Sequence, residues 1–132
     1  MMVVIDTSAV LAVLVSEPER GAIVRATVGV DLVAPGSIHW EIGSALSAML
    51  KRRRASPPQV QRALAAYASI PIRLVDVDLA LALEIAAEHR LYACDAYMIT
   101  CALGQRASLL SLDRGLAHAA KNAGVHMLEI SP

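Results

Sequence analysis

The chain alternates short apolar runs with longer stretches whose apolar residues recur at helical spacing. Val3-Val-Ile5 is apolar and β-branched throughout, the pattern of a strand covered on both faces. It stops at Asp6. Thr7 and Ser8 follow, and Ser8 is placed to cap an apolar helix over about residues 9–15. Glu17-Pro-Glu19 sets proline and acids where a helix favours them, and opens a second helix to about Val28. Asp31 to Ala34 reads as a second strand, ended by Pro35-Gly36. Ser37 opens a long helix from Ile38 to about Arg54, with Ile42, Ala45, Leu46, Met49 and Leu50 on one stripe. Ser56-Pro-Pro58 breaks the chain and starts a helix to about Ser69. Pro71 to Asp76 is a third strand, and Asp78 caps a helix to about Arg90. Leu91 to Cys94 leads into a helix buried through Ala96, Met98, Ile99, Ala102 and Leu103. Leu109 to Leu112 is a fourth strand halted at Asp113. A helix to about Ala123 follows, Gly124 ends it, and Val125 to Ile130 is a fifth strand. Strands alternating with helices predict an α/β fold: a central, mostly parallel five-stranded sheet flanked by helices on both faces.

The totals narrow this picture. A length of 132 residues fits one domain, 1–132, with a real core. The chain is 56% hydrophobic with mean hydropathy +0.52, much of it alanine, as on close-packed helices. Some apolar surface is left for a partner or a second copy. The formal net charge is zero, which argues neither for nucleic acid nor against it. The apolar N-terminal run is broken by Asp6 and over by Ser16, too short to span a bilayer, and it lacks a basic start. A cytoplasmic protein with no membrane partner is expected. Cys94 and Cys101 lie on one predicted helix, roughly 10 Å apart in axial rise. That is too far for a disulfide, and two buried thiols are expected.

The chemistry sits in the acids. Asp6 and Asp113 end strands, while Glu41 and Asp95 begin helices. In a sheet wound on both faces, strand C-ends and the following helix N-ends share one edge, and ligands bind there. Four carboxylates can therefore meet. A capping box would need its acid at position 40, which is Trp40, so Glu41 is one residue late for that role. Close carboxylates repel, and a divalent cation that prefers oxygen, Mg²⁺ or Mn²⁺, relieves them. Ser8 and Ser111 are placed to hold water through their hydroxyls. Glu17, Glu19, Asp76 and Asp78 are most simply caps and turn residues. No glycine-rich phosphate loop or G-x-S-x-G elbow is present. The histidines (39, 89, 118 and 126) share no metal-ligand spacing, and only His39 lies near a candidate acid. A receiver-type phosphoacceptor would want adjacent acids after the first strand and a late lysine, and neither appears. With no Phe, one Trp and three Tyr, base stacking is not expected. Lys51 to Arg54 fits either a solvated helix C-terminus or a phosphate-contacting patch.

Val4-Ile-Asp-Thr-Ser-Ala9, Trp40-Glu-Ile-Gly-Ser-Ala45, Cys94-Asp-Ala-Tyr97 and Leu110-Ser-Leu-Asp-Arg114 resemble the motifs of PIN domains. In length and order, over residues 2–130, the chain is similar to VapC-type toxins of toxin–antitoxin pairs. The resemblance implies a metal-dependent endoribonuclease. It makes Asp6, Glu41, Asp95 and Asp113 both the catalytic acids and the Mg²⁺ ligands. Thr7 and Ser8 match the first motif, and Ser111 stands where the family often has Thr. A homodimer and a small VapB-like antitoxin that blocks the site are implied as partners. Contacts to the RNA backbone are expected from Arg114, which follows a site acid, and from Arg52, Arg53 and Arg54. The competing reading is a PIN-like binding module that pairs with a partner and cleaves nothing. The presence of all four acids argues against it.

Overall fold

The computed structural model describes residues 1–131. Its elements run β1 Met2–Ile5, α1 Thr7–Leu14, α2 Arg20–Ala26, β2 Asp31–Pro35, α3 Ile38–Lys51, α4 Pro57–Ser69, β3 Ile72–Val75, α5 Leu79–His89, α6 Ala93–Gln105, β4 Ser108–Leu110 and α7 Arg114–Asn122. The α/β architecture read from the sequence is the one found. The four strands are all parallel, in the order β3-β2-β1-β4. Val4 pairs with Val33 on one side and with Leu109 on the other, so β1 is central. Val3 and Val4 are fully buried, as an apolar strand flanked by two others requires.

Strand order also assigns the helices to faces. The chain moves one way along the sheet from β1 to β3, then back across it to β4. Right-handed crossovers put the first helices on one face and α5 and α6 on the other. The packing agrees: α1 packs with α2, α3 and α4, while α6 lies across β1, β2 and β4 and against α5. Ala96, Met98, Ile99 and Ala102 are buried on α6. Thr100, also buried there, donates its hydroxyl proton to the Ala96 carbonyl at 2.7 Å, so it costs the core no unmet hydrogen bond.

The expected fifth strand is the main correction. Val125 to Ile130 runs beside β4 but forms one parallel bridge, Leu109 to Met127. Leu109 N–H donates to the His126 carbonyl at 3.0 Å, and Leu128 N–H donates to the Leu109 carbonyl at 2.9 Å. β4 is only three residues long, so its outer edge offers little more to pair with. The buried Val125 and Met127 follow the strand alternation; the ladder is missing because its partner is short. Helix starts shift as well. Asp6, rather than Ser8, caps α1, and α2 begins at Arg20, after the Glu17-Pro-Glu19 signal. α3 ends at Lys51, before the three arginines. Gly124, with φ +92, takes the left-handed conformation just past α7 where glycine was expected to end that helix.

Candidate metal centre

The strand order reverses between β1 and β4, and the crevice beyond their C-terminal ends is where open α/β sheets bind ligands. Asp6 leaves β1 at that point, and Ser111 to Asp113 leave β4. The Asp6 backbone N–H donates to the Leu110 carbonyl at 2.9 Å, extending the β1–β4 pairing to the rim.

Asp6 is only 6% exposed. Its Oδ2 accepts the Ser8 hydroxyl at 2.7 Å, the Ser111 hydroxyl at 2.8 Å and, more weakly, the Ser8 N–H at 3.4 Å. Ser8 Oγ in turn accepts from the Leu112 N–H at 3.0 Å, and Ser111 Oγ from the Asp113 N–H at 3.0 Å. The two hydroxyl oxygens lie 3.3 Å apart, but both protons already go to Asp6. Instead of holding water, these hydroxyls clamp one carboxylate and stitch the β1–α1 turn to the β4–α7 turn. Among the described residues no donor reaches Asp6 Oδ1, and no buried side-chain oxygen lacks a partner. Oδ1 therefore faces solvent, open to a ligand.

Glu41, in the first turn of α3, is half-buried and held at both oxygens. Thr7 Oγ1 donates to Oε1 at 3.1 Å, and Ser37 Oγ donates to Oε2 at 3.0 Å. Burial nevertheless pushes its carboxyl above the usual range; the two hydroxyls pull it down, and the charges of Asp6 and Asp95 add to the rise. Asp95, in the first turn of α6, is also pushed up, first by burial and then by the charges of Asp113 and Asp6. Asp113 is exposed and caps α7, its Oδ1 accepting from the Leu116 N–H at 3.1 Å. The cap reading and the site reading of Asp113 are thus compatible, since among the described residues no hydrogen bond takes its second oxygen.

The four candidate acids share this edge, and the structure brings Thr7, Ser8 and Ser111 in behind them. Among the described residues the ion pairs are Arg73–Asp31 at 3.1 Å and His89–Glu88 at 4.0 Å, so no protein cation balances the four. Nor, among those residues, do three Asp, Glu, His or Cys side chains close tightly enough to cage an ion alone. An all-oxygen, charge-rich and open donor set suits a hard cation that keeps several of its waters, as Mg²⁺ does.

The basic candidates divide. Arg114 is exposed beside Asp113, at the rim. Arg52, Arg53 and Arg54 follow the far end of α3, more than about 15 Å of helix from Glu41, and stand apart from the acids. Arg54 instead lines a groove between α1, α3 and α4, with Arg62, Leu46 and Met49. His39 turns toward α4, its Nδ1 sharing a 2.8 Å hydrogen bond with the Tyr67 hydroxyl. Of the two thiols, Cys101 is buried and pushed up to about 11 by that burial. Cys94, expected buried, is exposed: it occupies the first turn of α6, off the buried stripe. Partial burial raises it, and so do the charges of Glu41, Asp95 and Asp6.

Ser37, like Ser8, serves an acid rather than a helix end. It was expected to cap α3; its hydroxyl makes no cap bond and goes to Glu41 instead. The available signal was the i, i+4 spacing of Ser37 and Glu41, which sets two helical side chains face to face.

A family model described as the PIN domain matches residues 3–122. Among solved structures, PAE2754 from Pyrobaculum aerophilum superposes with a TM-score of 0.73 at 21% identity, covering 96% of this chain and 83% of that one. VapBC2 from Rickettsia felis, solved bound to a DNA fragment from their promoter, superposes with a TM-score of 0.69 at 12% identity, covering 99% of this chain and 100% of that one. At these identities the likeness is one of fold. A comparison with curated proteins found no match.

Proposed function

Because the chain belongs to the PIN domain family, whose members are generally nucleases, we propose that it is the toxin of a toxin–antitoxin pair and hydrolyses RNA phosphodiester bonds. The reading treats residues 1–132 as one PIN-like nuclease domain acting in the cytoplasm. What supports it is a single observation. Four carboxylates from four elements share the edge where the strand order reverses, and among the described residues no ion pair balances them.

In this reading Asp6, Glu41, Asp95 and Asp113 hold Mg²⁺ or Mn²⁺, directly or through water. The bound ion supplies a Lewis acid that makes water a nucleophile at neutral pH and offsets charge at the phosphate. Asp6 presents Oδ1 while Ser8 and Ser111 hold Oδ2, which fixes the carboxylate plane. Glu41 is pinned by Thr7 and Ser37 and serves as a rigid ligand. Asp95, with no hydroxyl holding it among the described residues, orients the attacking water. Attack at phosphorus with loss of the 3′ oxygen leaves a 5′-phosphate and a 3′-hydroxyl. Arg114 contacts the RNA backbone from the rim.

A VapB-like antitoxin is the proposed partner, in line with the VapBC2 likeness in fold. The groove between α1, α3 and α4, apolar at Leu46 and Met49 and basic at Arg54 and Arg62, suits an amphipathic antitoxin segment. Exposed Leu74, Leu79 and Leu83 suit the second copy of a homodimer. Among the described residues no helix is long and apolar enough to cross a membrane.

The test is cleavage of total cellular RNA by purified, antitoxin-free protein with Mg²⁺, Mn²⁺ or EDTA. Discrete fragments with 5′-phosphates are expected. They should vanish in EDTA and fall by more than about 100-fold in Asp6→Asn, since even outer-shell partners of a metal carry 10- to 100-fold. No cleavage by a protein that still binds its antitoxin would instead favour the inactive binding module.

A further inference from the structure

The turn between α3 and α4 collects cations that no acid answers. Lys51, Arg52, Arg53 and Arg54 follow one another and are all exposed. Among the described residues none of the four enters an ion pair or donates a side-chain hydrogen bond. A helix C-terminus carries only about half a negative charge, which four successive cations far exceed.

The turn is also built rigidly. Arg54 N–H donates to the Met49 carbonyl at 2.8 Å and Arg53 N–H to the Leu50 carbonyl at 3.1 Å. These are the paired bonds that close a helix through a left-handed residue. That residue is Arg53, with φ 56, a conformation that costs a side chain about 1 kcal/mol. Arg90 and Arg106 adopt it too, past α5 and α6, but neither has a neighbouring Lys or Arg. On the other side Ser56 and Gln59 cap α4 reciprocally, at 2.8 and 3.3 Å. A backbone fixed at both ends loses little freedom when a partner binds.

The spread of the cations selects the partner. Arg54 lines the groove between α1, α3 and α4. Arg53 and Arg54 line a more open one with Leu50, Ser56 and Pro57, while Lys51 and Arg52 line neither. The four therefore fan over the end of α3 instead of facing one groove. A peptide helix lies in a single groove and would meet only part of the fan. A polyanion can follow it and meet the cations in turn. Three of the four are arginine, whose fork takes two phosphate oxygens at once.

The fold keeps this surface away from the acids. Glu41 lies in the first turn of α3 and Lys51 ends it, about 15 Å further along the axis. A phosphate backbone approaching the acid edge meets four carboxylates, and the net charge of the chain is zero. Attraction for phosphates has to come from elsewhere, and the end of α3 supplies it.

We propose that Lys51 to Arg54 form a second contact surface for the RNA substrate, which holds its phosphate backbone at the far end of α3 while the acids act at the near end. The inference rests on the nuclease reading and adds where the strand is held. At about 3.4 Å per stacked nucleotide, roughly 5 nucleotides bridge the two ends. Contacts to phosphates carry no sequence information, so this surface sets affinity and register. None of the four residues touches the reacting atoms.

The experiment uses the intact chain and oligouridylate of about 20 nucleotides. EDTA keeps the strand whole, and fluorescence anisotropy reads affinity between about 0.05 and 0.3 M KCl. The variant is Arg52→Gln with Arg53→Gly. Neither residue lines the groove between α1, α3 and α4, and glycine suits the left-handed position, so the fold should melt no lower than the parent. Losing two phosphate contacts should lower the salt slope by about 1.4 and the affinity roughly 25-fold at about 0.1 M salt. Arg52→Lys with Arg53→Gly keeps one charge and should recover about fivefold of that loss. In Mg²⁺ the Gln–Gly variant should cleave total cellular RNA more slowly than the parent at low salt, and the gap should close as salt rises.

A parent that cleaves RNA beside a variant that binds the oligomer with the parent's slope would overturn the proposal and leave the nuclease reading intact. Weaker binding with cleavage unchanged at every salt would also overturn it, since the surface would then hold something other than substrate. So would a variant that binds the oligomer as the parent does but loses poly-glutamate, which would give the turn to an acidic protein segment. A parent that neither binds nor cleaves RNA would overturn both readings.

Discussion

Asp6 and Asp78 stand in the same local sentence: an apolar strand, an aspartate, a helix. Each caps its helix by accepting a backbone N–H, from Ser8 in one case and from Leu81 at 3.1 Å in the other. The resemblance ends there. Asp78 follows β3, the edge strand, and is exposed with that one bond. Asp6 follows β1, is buried, and takes two serine hydroxyls besides, one of them from 105 residues away in sequence. Local grammar makes both residues caps. Strand order puts only one of them beside the proposed site, because of the two strands only β1 borders the reversal.

If the comparison is right, the serines that distinguish Asp6 should matter to activity. Ser111→Ala and Ser8→Ala should each lower RNA cleavage about 10- to 100-fold at unchanged fold, the cost of losing a partner that orients a metal ligand. Both serve one oxygen, so the double variant should lose less than the product of the two. Single-turnover cleavage by the three proteins measures this; full additivity would break the idea of a shared clamp.

The next largest effect is on the metal-free protein's stability. Glu41 and Asp95 have raised carboxyls in the folded state, so that state binds protons more readily than the unfolded chain. Their cost to stability is absent below about pH 4, the unfolded carboxylate range, and grows as pH rises through the raised folded values. Glu41→Gln and Asp95→Asn should therefore melt higher than the parent at pH 7 in EDTA, by a few degrees, and the gain should vanish in acid. Excess Mg²⁺ should stabilise the parent by mass action and narrow the difference. Variants no more stable than the parent at any pH would show that the edge bears no such repulsion.

The smallest effect belongs to Asp78. Asp78→Ala should cost about 1 kcal/mol in denaturant unfolding, as loss of an N-cap does, with cleavage unchanged.

Much of this was legible in the sequence, because periodicity is local information. The apolar runs and helical stripes located every strand of the sheet, and the four acids stood out at element ends. What escaped depended on partners. Whether 125–130 forms a ladder is decided by the length of β4, not by its own alternation. Ser8 and Ser37 were both expected to cap helices; each hydroxyl goes to an acid because burial and neighbours make that acceptor the better one. Cys94 looked like core on a helix that buries Cys101, but it lies in the exposed first turn.

The most direct measurement is Mn²⁺ binding to the purified protein, read by calorimetry and by the ion's paramagnetic resonance, with Asp6→Asn beside Asp78→Asn. Strand position, rather than the local Asp-before-helix pattern, is the claim at stake. Wild type and Asp78→Asn should bind Mn²⁺ alike, and Asp6→Asn should bind it at least about 10-fold more weakly. Equal binding by all three, or a loss confined to Asp78→Asn, would contradict it.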